Sequence, residues 1–207
     1  MLERITRRER NDLLIAWLAI SIAFTLIFVR ESKMELSDVL LYFGLSLLTV
    51  GIGFILHEMA HKFTAIKYGF WAEFRKDNIM LLVAVTLAAL VGVVFAAPGA
   101  TMIYGSGITR EQNGKISAAG PLTNLILCIP FGILLLVSGY LSGEGRSFAM
   151  LFGMVGLQVN AMVAAFNMLP VSVLDGKKVL AWNPLVFIAL IAAAFGVLIA
   201  TLYPVFF

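Results

Sequence analysis

Residues 39–66 read VLLYFGLSLLTVGIGFILHEMAHKFTAI. As far as Leu56 the stretch suits lipid, and then His57, Glu58 and His61 follow within five residues. The run exceeds the ~20 apolar residues with which a helix crosses ~30 Å of hydrocarbon. Ionisable groups inside such a helix are costly and mark function by default. Two histidines at i and i+4 stand on one helical face, roughly 40° apart around the axis. Their ring nitrogens can therefore share one Zn²⁺, while Glu58 between them reaches the metal's water as a general base. Zinc brings that water's pKa to about 7, so hydroxide forms at neutral pH. The chain has only two histidines, and both lie in this motif. The plainer reading is a core helix in which Glu58 pairs with a base such as Lys62.

Composition agrees with a lipid setting. Of 207 residues, 61% are hydrophobic and 13% charged, with a mean hydropathy of +0.98. Soluble domains carry about 25% charged residues and about 45–50% apolar ones. The net charge of +3 is too small to argue for nucleic acid. A single cysteine, Cys128, excludes an internal disulfide and reads as a small buried apolar residue. Six apolar runs are expected, at 13–29, 39–66, 79–97, 121–141, 148–169 and 185–207. The arginines of MLERITRRERND precede the first run, which has no cleavage site and is expected to stay as a span. No linker separates a second domain, so residues 1–207 are expected to form one membrane domain. The predicted fold is an all-α polytopic membrane protein with five to six transmembrane helices.

Catalytic zinc commonly has three protein ligands and one open position. With no third histidine, the third must be a carboxylate or Cys128. Six of the twelve acids, Glu3, Glu9, Asp12, Glu31, Glu35 and Asp38, flank the first run or precede the second. Glu73 and Asp77 fall in WAEFRKDN, expected to be a solvated loop, and Glu111 and Glu144 in turn-like stretches. Asp175 differs, because it follows the fifth run where Pro170 breaks the helix, in FNMLPVSVLDGKKV. It is either a ligand or the first residue of an Asp-Gly turn. No second polar station is evident in runs one, four or six.

HEMAH at 57–61, AAGPLTN at 118–124, and Asn167, Pro170, Leu174, Asp175 and Gly176 in the order N-x-x-P-x-x-x-L-D-G resemble the site-2 protease family of intramembrane zinc metalloproteases. The resemblance covers roughly 39–179. It implies His57, His61 and Asp175 as ligands of one Zn²⁺ per chain, Glu58 as catalytic base, and Asn167 as a residue assisting substrate or oxyanion. Asn167 also reads as a helix-packing amide. The family often has a second proline and a double glycine around the aspartate, where this chain has PVSVLDGKK. No PDZ or CBS domain is expected beside this core.

The site also constrains the topology. For Asp175 to reach metal held near the end of run two, an even number of crossings must separate them, so run three cannot cross fully. Charge agrees. With a cytoplasmic N-terminus and six crossings, nine basic residues fall inside and six outside. If run three re-enters, Arg110, Lys115, Lys177 and Lys178 move inside and Arg146 moves out, giving twelve and three. Residues 93–104, rich in β-branched and aromatic residues and broken by Pro98-Gly99, are therefore expected to return as a strand facing substrate. The expected function is hydrolysis of peptide bonds in a transmembrane protein substrate, at a multi-pass protein of the cell membrane. The alternative is a zinc-binding membrane protein or ion transporter without proteolysis.

Overall fold

The computed structural model describes residues 5–30, 35–92 and 99–202. Helix α1 is Arg7–Phe28, α2 Leu36–Ser46 and α3 Ile52–Lys67. A π-helical turn, Leu47–Gly51, joins α2 to α3. Strand β1 is Trp71–Lys76, α4 is Asn78–Val91 and β2 is Gly99–Tyr104. Then come α5 (Arg110–Ser138), α6 (Gly143–Asn167), α7 (Asp175–Trp182) and α8 (Pro184–Leu202).

Five of these segments are long and apolar enough to cross a membrane: Arg7–Phe28, Leu36–Lys67, Arg110–Ser138, Gly143–Asn167 and Pro184–Leu202. Their outward faces stay apolar. Leu14, Leu18 and Ile22 of α1 are exposed, and only Ala194 and Thr201 of α8 are buried. Water would penalise such a surface and lipid does not, so the chain is built as a multi-pass membrane protein. Inward, Leu13, Ala16, Ile20 and Phe24 recur at helical spacing and pack on Val50 and Phe54 of the motif segment. Trp17 donates its indole N–H to Leu47 O at 3.0 Å. A side chain at Gly51 would overlap that indole, so the π turn and its glycine admit α1 at close range.

The sixth expected span is shorter. Helix α4 has 14 residues, a rise of about 21 Å against about 30 Å of hydrocarbon. Strands β1 and β2 pair antiparallel, with Trp71 opposite Tyr104 and Lys76 opposite Gly99. The chain thus leaves β1, runs through α4 and returns beside its starting point, which is what the parity reading requires. Residues 99–104 of the expected strand are β2, and 93–98 lie outside the described residues, as does the end of run six at 203–207.

Two local readings change. WAEFRKDN is not a solvated loop: its first six residues are β1, with Ala72, Glu73 and Phe74 buried. Phe74 meets Phe54 edge-on at 5.5 Å, and Glu73 and Asp12 both pair with Arg75. Asp77 caps α4 by accepting from Ile79 N and Met80 N at 2.9 and 3.1 Å. Likewise GITREQNG is the start of α5, closed by a capping box between Thr109 and Gln112. Glu73, Asp77 and Glu111, which pairs with Lys115, therefore have structural partners.

Candidate metal centre

Three elements build the centre. Helix α3 offers Gly53, His57 and His61, spaced by four and so on one stripe. Facing it, α5 offers Ile116, Gly120 and Asn124 at the same spacing. The third element is the N-terminus of α7. Helix α6 ends at Asn167, Ser172 takes a left-handed φ of 51°, and Asp175 opens α7. A side chain at Gly176 would strike Met168 O, so glycine lets α7 start against the end of α6. Asp175 thus begins a helix, with its carboxylate beside the histidines.

His57 Nε2 and His61 Nε2 lie 3.0 Å apart. Asp175 Oδ2 is 3.4 Å from the first and 3.1 Å from the second. All three residues are buried. Among the described residues, they are the group of donors close enough to hold one metal ion. Cys128, the other candidate third ligand, instead points its thiol at Leu157 O, 3.8 Å away.

The hydrogen bonds fix which nitrogens are free. His61 Nδ1 is 2.7 Å from Ile116 O, an acceptor, so Nδ1 carries the proton. His57 Nδ1 is 2.6 Å from Asn124 Oδ1. The Asn124 amide is itself oriented, since its Nδ2 donates to Gly53 O (3.2 Å) and to Asn160 Oδ1 (2.9 Å). Asn160 Nδ2 in turn donates to Gly156 O at 2.9 Å. His57 therefore donates from Nδ1 as well. In the neutral imidazoles both Nε2 lone pairs then converge on Asp175. Two lone pairs and a buried carboxylate at such distances repel unless a cation or proton lies among them. Two imidazole nitrogens and one carboxylate oxygen are a donor set of catalytic zinc, with a fourth position open. Gly120 leaves the space: a methyl there would sit 2.5 Å from His57 Nε2 and closer still to His61 Nε2.

Glu58 faces the same cleft, of about 360 Å³, bordered by β2 on one side and residues 173–175 on the other. It does not pair with Lys62. That ammonium is buried against Glu9 of α1, while Glu58 Oε2 accepts from Thr101 Oγ1 at 2.8 Å. Asn167 also lines the cleft, and its Nδ2 donates to Val163 O of its own helix at 3.0 Å. Amides donate twice, so one N–H remains for another partner. Sequence reasoning assigned no role to Gly120 and Asn124 within AAGPLTN, and missed Asn160 and Thr101. Asn124 was visible as an amide inside run four, and it belongs to the histidine cluster rather than to a separate station.

No family model and no solved structure matches the chain. Curated proteins do. "Putative zinc metalloprotease MJ0611" of Methanocaldococcus jannaschii is 42% identical over 88% of this chain and 88% of its own length. "Putative zinc metalloprotease YwhC" of Bacillus subtilis is 28% identical over 69% of this chain and 73% of its own. "Zinc metalloprotease MJ0392" of M. jannaschii is 26% identical over 77% of this chain but only 40% of its own length. Identity of 42% across nearly the whole of both chains is decisive, and the chain belongs to the site-2-protease-like family of zinc metalloproteases.

Proposed function

We propose that the protein is an intramembrane metalloprotease of the HExxH type, cleaving peptide bonds of transmembrane protein substrates in regulated intramembrane proteolysis. The observation that carries this is the convergence of His57 Nε2, His61 Nε2 and Asp175 Oδ2 in a cleft that Glu58 also lines. These three residues would hold the zinc. When bound, zinc supplies Lewis acidity, bringing a water to a pKa of about 7 and polarising the scissile carbonyl. Glu58 takes the proton from the attacking water on its carboxylate and hands it to the leaving amine. Asn167, with its second N–H, is placed to steady the developing oxyanion.

A helical substrate must first unwind, because its carbonyls are engaged in hydrogen bonds. Strand β2 offers it new partners. Phe74 N donates outward to Glu9 Oε1 at 3.0 Å, so Phe74 and Thr101 form a pair without mutual backbone bonds. Thr101 and Ile103 then present their backbone groups at the edge away from β1, which borders the cleft. An extended substrate can add there as a third strand. The positive-inside balance supports a cytoplasmic N-terminus for a protein of the cell membrane, with water entering from that side. Residues 1–207 act as one catalytic unit.

The test is cleavage of a transmembrane reporter in proteoliposomes by wild type and Glu58→Gln, with zinc measured in both. The expected outcome is cleavage by wild type alone and equal zinc. Full cleavage by Glu58→Gln would refute the mechanism.

A further inference from the structure

Thr101 has no part in the chemistry above, yet it touches the base. Its hydroxyl lies 2.8 Å from Glu58 Oε2 and 3.1 Å from Glu58 O. Both neighbours only accept, and a hydroxyl has one proton to give, so it goes to the charged and stronger acceptor, the carboxylate. Glutamate has three side-chain torsions. A donor on Oε2 removes most of that freedom and leaves Oε1 to meet the proton of water.

The strand bearing Thr101 is itself fixed. Phe74 stands opposite Thr101 in the sheet. The Phe74 N–H is held by Glu9, which also pairs with Lys62, the residue after His61. Glu9 and Lys62 are both fully buried. Contacts thus close a ring from α3 through β2, β1 and α1 back to α3.

We propose that Thr101 is a positioning residue for Glu58, held in place by the strand pair that Glu9 anchors. The proposal rests on Glu58 being the base. It makes the strand that receives substrate the same element that aims the base.

The test compares Thr101→Val, which keeps the shape and loses the hydroxyl, with Thr101→Ser, which keeps the hydroxyl. Zinc-loaded protein in proteoliposomes is assayed for kcat and KM on a transmembrane reporter. Affinity for a peptide hydroxamate is measured in parallel, since its acidic proton needs the same acceptor and binding requires no turnover. The expected result for Thr101→Val is a fall in kcat of about tenfold or more, with KM within about twofold, zinc unchanged and hydroxamate binding weakened. Thr101→Ser should stay within about threefold of wild type in all of these. Wild-type kcat in Thr101→Val, a loss confined to KM, or equal damage in both variants would overturn the proposal. Glu58→Gln separates the two failures. If it is inactive while Thr101→Val is not, the positioning role alone fails, and if it cleaves normally the reading of the base fails.

Discussion

Gly120→Ala tests the geometry of the centre with one methyl group. The new Cβ would lie 2.5 Å from His57 Nε2 and also inside contact distance of His61 Nε2. Ordinary contacts begin near 3.5 Å, so each imidazole or the α5 backbone must yield by about 1 Å. Zinc–nitrogen bonds hold close to 2.0–2.1 Å, within about 0.2 Å. The metal-free imidazoles can swing away, whereas the metal-bound pair cannot. Overpacking strain of about 1–3 kcal/mol therefore falls on the zinc-bound form, a loss of roughly five- to 150-fold in zinc affinity at about 1.4 kcal/mol per tenfold. The helix itself gains, because alanine is favoured over glycine by about 0.8–1 kcal/mol. Zinc affinity is read by chelator competition and folding by thermal unfolding. Gly132→Ala, in the same helix with nothing within 4 Å of its Cβ, is the control and should bind zinc as wild type does. Zinc binding by Gly120→Ala within about twofold of wild type, in a folded protein, would refute the convergence of donors beneath Gly120.

Asn124→Ala removes the acceptor that fixes the His57 ring, and zinc affinity should fall about 10–100-fold in a chelator titration. Glu9→Gln takes the Glu9 charge away from the buried Lys62 ammonium and should lower stability in an unfolding measurement, by up to the roughly 3–5 kcal/mol that breaking a buried pair costs. The double variant Glu9→Gln/Lys62→Met should recover much of that. Single cysteines at 67–76 and at 110–115, in a Cys128→Ala background, should react with an impermeant reagent from the same side of the membrane. Labelling from opposite sides would require a full third crossing and sink the re-entrant topology.

The motif was legible because the periodicity of a helix is local: His57 and His61 announce a shared face whatever surrounds them. Asp175 was legible as an acid stranded at a helix break, although only its place beside His57 and His61 favours a ligand over a plain Asp-Gly turn. The return of the chain after α4 followed from parity, a constraint that links residues far apart. What escaped depends on partners distant in sequence. WAEFRKDN carries charges of both signs and looks solvated, and it becomes a buried strand because α1 supplies Glu9 and Asp12 to receive its N–H and its arginine. Glu9 reads in the sequence as a flanking acid, yet antiparallel packing of α1 on α3 puts it against Lys62. Thr101 lies 43 residues beyond Glu58, and no local pattern joins them.

Zinc K-edge absorption on the purified protein examines the centre most directly. The expected spectrum has one zinc per chain with two imidazole nitrogens at about 2.0–2.1 Å, the rest of the shell oxygen, and one oxygen lost in Asp175→Ala. A zinc–sulfur distance near 2.3 Å, or an unchanged spectrum in Asp175→Ala, would contradict a metal held by His57, His61 and Asp175.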